Sequence, residues 1–360
     1  MMVSIFDELK KEIDKGISGE NESISIGLPK LGNFANIRKR MLTLIFSTSG
    51  AGKSGFIDTV ILNSTSELMQ SPKKNTVKYL LFSTERSKIL RLAKWMSFKI
   101  FKEYGEVIDV AKLLGWRSEK LKKSELDLIS KQKEFFDCLF NDYVTIYEGA
   151  KSPTEFFKIM KTYFESIGTY EKTDKYTEIY IPNNEKKIIC PIIDHANLTK
   201  TTKELNTKKL AIDKLVEFCQ GFRDKEASSI LWVSQVNRSV AALSRAKDAE
   251  YELMLEDVKE TGDIGDACDL AFSIFDPLLY KQSSKTGFNP VDFLDKKDGS
   301  SYFRSIQILK STYGQNGLRI PFGFNGFCGQ FKELKKRDEY NSLEYDALVT
   351  SVLNKSFFIK

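Results

Sequence analysis

An α/β domain with a mostly parallel central sheet and helices on both faces is what this sequence predicts, and three observations carry the prediction. Short apolar, β-branched runs alternate along the chain with segments of helical period, the order that builds strand–helix–strand crossovers. The first strong run, residues 42–46, feeds a small-residue loop and then a helix start, in the order S-T-S-G-A-G-K-S. Two later runs close on a carboxylate: Glu85 follows residues 77–82, and Asp194 follows residues 188–193.

The chain begins with an amphipathic helix over residues 3–15, with Ile5, Phe6, Leu9 and Ile13 on one face. That face has two destinations, its own domain or a neighbouring subunit. Residues 16–23 are polar and contain glycine, so they read as a linker. Residues 27–35 are a turn-rich lead-in to the first strand.

The loop after that strand has the spacing of a phosphate-binding loop, G-x-x-x-x-G-K-[ST]. Ser49, Gly50, Ala51, Gly52, Lys53, Ser54 and Gly55 are its candidate nucleotide contacts. Gly50 and Gly52 let the backbone curl so that N–H groups point at phosphate oxygens. The helix that follows adds the positive end of its dipole. Lys53 is placed to reach the β- and γ-phosphates of ATP, and the Ser54 hydroxyl to hold Mg²⁺. One departure stands out: Ser47 occupies the place of the usual first glycine. The plainer alternative is a Gly/Ser turn between a strand and a helix.

Residues 77–82 form the next strand, ending in S-T-E-R. Glu85, at the end of a strand expected beside the phosphate-loop strand, is placed to orient an attacking water. It could equally be a solvated helix-start acid. Residues 87–102 are helical, and residues 104–140 mostly so, with Leu126, Ile129 and Phe136 on one face. A strand follows at 143–147. Ser152, Pro153 and Glu155 then form a capping box that starts a helix. Residues 168–187 break the helical period, and the alternation over 176–181 reads as a β-hairpin insertion.

The strand at 188–193 closes on Asp194, the second candidate Mg²⁺ ligand, acting directly or through water. Pro191 within it suggests a bulge or a sheet edge. Residues 197–209 are polar and carry Lys200, Lys203 and Lys208. A helix with Ile212, Leu215, Val216 and Cys219 inward leads to a strand at 230–233 that ends in S-Q-V-N-R. Residues 238–251 form a second basic segment with Arg238, Arg245 and Lys247. Later strands are expected at 272–275, 306–309 and 318–322, the last two joined by a tight turn at 314–317. The tail from Lys332 is charged and reads as peripheral, with room for a terminal helix.

Composition narrows the chemistry. The 360 residues suffice for one large domain with insertions or two small ones. The net charge of +6, from 55 basic and 49 acidic residues, permits a polyanionic partner without demanding one. The five cysteines form no C-x-x-C pair, which argues against a zinc site or a disulfide framework and for reduced thiols in a cytoplasm. His195 is the only histidine, which excludes a His-based metal cluster or a His-relay hydrolase built within one chain. No signal peptide and no membrane-spanning run is expected.

The blocks S-G-A-G-K-S, F-S-T-E, S-P-T-E, I-I-D-H, S-Q-V-N-R, D-V-K-E-T-G-D-I-G-D-A-C-D and I-L-K-S-T-Y-G-Q-N-G, in that order, resemble the RecA-type motor domain of DnaB-like replicative helicases. They also resemble the helicase half of phage primase–helicases. The resemblance runs from about Gly27 to about Leu334, with insertions at 104–140 and 168–187. It implies a RecA-like P-loop NTPase core over residues 24–335, preceded by a linker-type helix within 1–23 and followed by a tail at 336–360. It implies that Glu85 is the catalytic base, Asp194 the Mg²⁺-linked aspartate and Gln235 the γ-phosphate sensor. It assigns the segments with Lys200, Lys203, Lys208, Arg238, Arg245 and Lys247 to single-stranded DNA in a central channel. The family's partners are further copies in a hexameric ring and a primase or loader; a phage-encoded member would act in the host cytoplasm. The N-terminal domain of bacterial members and a primase half are not expected here.

A family Lys-x-Arg pair reaches into the neighbour's ATP site. Here Lys310 is present, but Thr312 stands where the arginine belongs. Lys310 could act alone, Arg304 or Arg319 could substitute, or hydrolysis could be slow. The expected function is thus an ATP-dependent DNA helicase motor. The alternative is a nucleotide- and DNA-binding assembly module with weak ATPase. A recombinase or clock-type ATPase of the same fold fits the S-Q-V-N-R and E-T-G-D-I-G blocks less well.

Overall fold

The computed structural model describes residues 4–173, 178–236, 252–258, 263–280 and 284–359. Its strands are β1 (Met41–Ser47), β2 (Val77–Ser83), β3 (Val144–Glu148), β4 (Gly168–Lys172), β5 (Glu178–Pro182), β6 (Ile188–Asp194), β7 (Ser229–Gln235), β8 (Leu270–Phe275), β9 (Phe303–Ser311), β10 (Arg319–Asn325) and β11 (Gln330–Glu333). Nine of them form one sheet in the order β11-β10-β9-β8-β1-β7-β6-β2-β3. From β8 to β3 every pairing is parallel. From β8 outward through β9, β10 and β11 every pairing is antiparallel. The remaining strands, β4 and β5, make the separate antiparallel hairpin expected of the insertion.

The helices are α1 (Ile5–Ile17), α2 (Pro29–Ala35), α3 (Lys53–Met69), α4 (Lys88–Tyr104), α5 (Val110–Leu113), α6 (Lys123–Lys131), α7 (Lys133–Cys138), α8 (Pro153–Ile167), α9 (Lys208–Lys225), α10 (Asp263–Ala267) and α11 (Ser342–Leu353). They cover both faces of the sheet. β1 is buried along its whole length, as a strand covered on both sides must be. Its Met41 and Ile45 join a core with Phe56 and Val60 of α3 and Trp95 and Phe98 of α4. Its Leu42, Leu44 and Phe46 join a second core with Phe156 and Met160 of α8 and Leu215 and Phe222 of α9. The start of α8 is capped as its sequence requires. The Ser152 hydroxyl accepts from Glu155 N–H at 3.2 Å, and the Glu155 carboxylate accepts from Ser152 N–H at 2.7 Å.

Four expectations need correction or refinement. β2 is not beside β1: β7 and β6 lie between them. Pro191 marks neither an edge nor a bulge. β6 is an interior strand, and its register with β2 runs unbroken through the Leu80–Pro191 pair. Its ladder with β7 is registered only at Ile192 and Ile193, beyond the proline, so the missing N–H shortens that ladder instead of bending the strand. The chain end is not peripheral, because Tyr345, Leu348, Val352 and Phe358 are buried in the first core. Finally, α1 does not pack on its own domain. Its apolar residues Ile5, Phe6, Leu9, Ile13 and Ile17 are between 52% and 84% exposed.

Candidate functional site

The site forms where the parallel strands end. Register aligns those ends in two pairs: Ser47 lies opposite Gln235, and Ser83 opposite Asp194. Thr84 continues from β2 and ties the second pair together, since its N–H and its hydroxyl both donate to the Asp194 carbonyl at 2.9 Å. The loops after β1, β2, β6 and β7 therefore meet, although their strands are not all neighbours.

The loop after β1 turns on two glycines in the left-handed region. Gly50 has φ of 83° and Gly52 of 109°. Gly52 caps α3, and a Cβ there would come within 2.9 Å of the Phe324 and Phe331 rings. The N–H groups of the first turn of α3 have no partner within the helix and face the loop's mouth. Lys53 is buried, and its ammonium donates to Ser47 O and Ser47 Oγ at 3.1 Å and Thr48 O at 3.0 Å. The serine that replaces the usual glycine thus becomes a ligand of this lysine. Burial pulls the Lys53 pKa down to about 8, against the opposing pull of the Asp194 and Glu85 carboxylates.

Ser54 Oγ donates to Asp194 Oδ1 at 3.2 Å. A hydroxyl and a carboxylate side by side are the hard oxygen donors that Mg²⁺ prefers. Among the described residues no group of three or more His, Cys, Asp or Glu side chains could hold a metal. The ion's remaining ligands would have to be phosphate oxygens and water. The loop fits the polyphosphate on its own evidence: a buried ammonium held only by neutral oxygens, a helix N-terminus, and a buried Thr48 hydroxyl without a partner.

Behind Asp194 lies a buried ion cluster that sequence reading missed. Arg91 of α4 bonds the Asp194 carboxylate and sits 3.4 Å from Asp58 Oδ1 of α3. Burial works against its charge, but the two carboxylates outweigh this and raise its pKa. Asp58 lies one helical turn after Ser54 in an otherwise apolar stretch, and that mismatch was the available signal.

Glu85 is half exposed, and its Oε1 is 2.9 Å from His195 Nε2. The same ring nitrogen is 3.3 Å from Gln235 Nε2. Lys53, Ser54, Glu85, Asp194 and Gln235 are thus brought together, with His195 among them.

Lys310 is not part of this group. β9 runs antiparallel to β8, so Lys310 pairs near the start of β8, beside Ala271, away from the end that faces Ser47. Its ammonium donates to the carbonyls of Gly265 and Asp266 at 2.9 and 2.8 Å. Thr312 is exposed next to it. The two substitutes for an arginine at that position are both engaged within the chain. Arg304 is buried behind the phosphate loop, donating to Ala51 O at 3.0 Å and paired with Asp276 at 2.9 Å. Burial lowers its pKa to about 10 despite Asp276. Arg319 is paired with Glu252.

Of the basic residues assigned to nucleic acid, Lys200 and Lys203 are exposed, on the segment between β6 and α9. Lys208 turns inward, its ammonium donating to Thr199 O. Arg238, Arg245 and Lys247 lie outside the described residues.

Comparison with known proteins gives the fold its context. No family model matches the sequence, and no curated protein matches it. Among solved structures, the ATPase domain of a helicase superposes with a TM-score of 0.66 at 17% identity, covering 92% of this chain and 99% of that one. A DnaB-like replicative helicase, described with its interactions with primase, superposes with a TM-score of 0.64 at 16% identity, covering 93% of this chain and 68% of that one. The chain therefore has the RecA-like α/β fold of a DnaB-like helicase motor domain.

Proposed function

We propose that this chain is an ATP-dependent DNA helicase motor that works as a ring of identical subunits on single-stranded DNA during replication. One observation carries the reading: Lys53, Ser54, Asp194 and Glu85 converge at the mouth of a glycine-turned loop that opens on a helix N-terminus. Lys53 and the first-turn N–H groups of α3 bind the phosphates. Ser54 and Asp194 hold Mg²⁺, which when bound neutralises phosphate charge. Glu85 orients the attacking water and takes its proton. Gln235, beside Ser47 at the end of β7, reports the state of the phosphates to the basic segment that follows it.

Oligomerisation belongs to the same reading. The unpartnered apolar face of α1 would lie on a neighbouring subunit, and Lys310, remote from its own phosphate loop, would serve the site next door. A hexameric ring, a primase or loader as partner, and action in the cytoplasm are the further proposals that follow. No helix among the described residues is long and apolar enough to cross a membrane.

A second reading has a specific observation behind it. With Thr312 in the finger position, and with Arg304 and Arg319 both engaged within the chain, hydrolysis could be slow. The protein would then be a nucleotide-binding assembly module on DNA. Steady-state ATPase with and without single-stranded DNA, run beside Glu85→Gln and Lys53→Ala, tests both. The motor reading expects DNA-stimulated turnover that drops by about 10²–10⁴-fold in Glu85→Gln. A Lys53→Ala protein as fast as the parent would remove the mechanism. Slow, unstimulated turnover with an unopened forked duplex would select the second reading.

A further inference from the structure

We infer that His195 is a positioning residue that links Gln235 to Glu85, so that the state of one sets the aim of the other. The inference deepens the motor reading and rests on it for the roles of those two residues. Its grounds are the geometry of a single imidazole.

His195 is 5% exposed at its side chain, so solvent competes little for its bonds. Its Nε2 faces two groups at once, Glu85 Oε1 at 2.9 Å and the Gln235 amide at 3.3 Å. Its Nδ1 is buried and has no hydrogen-bond partner. A ring nitrogen offers either one proton or one lone pair. When Nε2 carries the proton it donates to the Glu85 carboxylate, and the amide N–H of Gln235 cannot donate to it. When Gln235 donates to Nε2, the bond that holds Glu85 is lost. The two neighbours therefore compete for one atom, and movement of Gln235 changes how firmly Glu85 is held.

The backbone around the ring is built to keep it there. His195 N–H donates to Thr84 Oγ1 at 2.9 Å, which fixes the segment after β6 to the segment after β2. Asn197 Oδ1 accepts from Gln235 N–H at 2.8 Å and from Ser234 Oγ at 3.2 Å, which fixes it to the end of β7. The residues from 194 to 197 thus bracket the two strand ends that carry Glu85 and Gln235. A buried ring with one unsatisfied nitrogen would be a poor choice for packing alone.

Because His195 is the only histidine, the ¹⁵N-labelled full chain, with no affinity tag, shows one imidazole in a long-range ¹H–¹⁵N spectrum. Its Nε2 resonance is expected to move in Glu85→Gln and in Gln235→Ala. Kinetically, His195→Phe keeps the ring volume and removes both bonds. It is expected to lower kcat of DNA-stimulated hydrolysis by about 10²-fold, the scale of a misplaced reacting group, with KM for ATP within about twofold. His195→Gln, which can present an amide donor, is expected to recover part of that loss. Gln235→Ala is expected to cost much less in the His195→Phe background than in the parent.

An imidazole unmoved in both variants, parental kcat in His195→Phe, or additive losses in the double variant would overturn the link. If His195→Phe does not fold, the imidazole spectra of the other two variants decide alone. A parent without ATPase whose imidazole still moves would sink the motor reading and leave the contact standing. A DNA-stimulated parent with an unmoved imidazole would sink only the link.

Discussion

The two halves of the sheet are held by different physics. The parallel half, from β8 to β3, carries charge at its strand ends: Lys53, Asp194 and Glu85 at the mouth, and Asp58 and Arg91 behind them. The antiparallel half, β9 to β11, meets the same loop mainly through shape. Phe324 and Phe331 press on Gly52, and the backbone of Gly329 presses on Gly55 so closely that a Cβ on Gly55 would lie 2.7 Å from Gly329 O. Its one charged contribution, Arg304, is spent on the Ala51 carbonyl and on Asp276. The difference teaches how a phosphate loop is kept open. One half supplies the charges that act on phosphate and metal, and the other fixes the backbone that presents them.

Breaking the charged half should have the largest effect on stability. Asp58→Asn leaves Arg91 with one carboxylate instead of two in a dry site. It should lose about 3–5 kcal/mol of unfolding free energy in urea titrations, the scale of a broken buried pair. A loss near zero would mean that Asp194 alone balances Arg91.

Disturbing the shape-based half should cost less. Gly55→Ala pushes a methyl into a backbone carbonyl that cannot swing aside. About 1–3 kcal/mol is expected, together with weaker binding of a fluorescent ATP analogue, since α3 and its N-terminal amides must shift. Unchanged affinity at reduced stability would show that β11 supports the core and not the loop.

The smallest effect is expected from a segment that belongs to neither half. Phe6→Asp with Leu9→Asp alters an exposed face of α1, so the thermal midpoint of the isolated chain should stay where it was. The light-scattering mass should fall from oligomer to monomer. An unchanged mass would deny α1 a role in assembly.

How much of this was legible beforehand depends on whether the cause was local. The phosphate loop was, because Gly50, Gly52 and the apolar run before them specify backbone conformation and strand by themselves. So were the hairpin insertion, the capped start of α8 and the pairing of β9 with β10. Asp194 and Gln235 were legible as strand ends. The position of β2 was not, because nothing in residues 77–83 says which strands will lie between it and β1. Arg91 looked like one more basic residue on a helix, and Arg304 like a spare finger. Each acquired its meaning from a partner more than a hundred residues away.

The amino-acid order alone determined where phosphate chemistry could occur, since a left-handed turn, a lysine and a hydroxyl at a helix start are neighbours along the chain. Which acids face that loop, which arginine is buried behind it, and which nitrogen stands between Glu85 and Gln235 were decided only by the packing of strands β1, β7, β6 and β2. Strand order and burial are non-local: they arise from every apolar surface hiding at once, and no short stretch of sequence contains them.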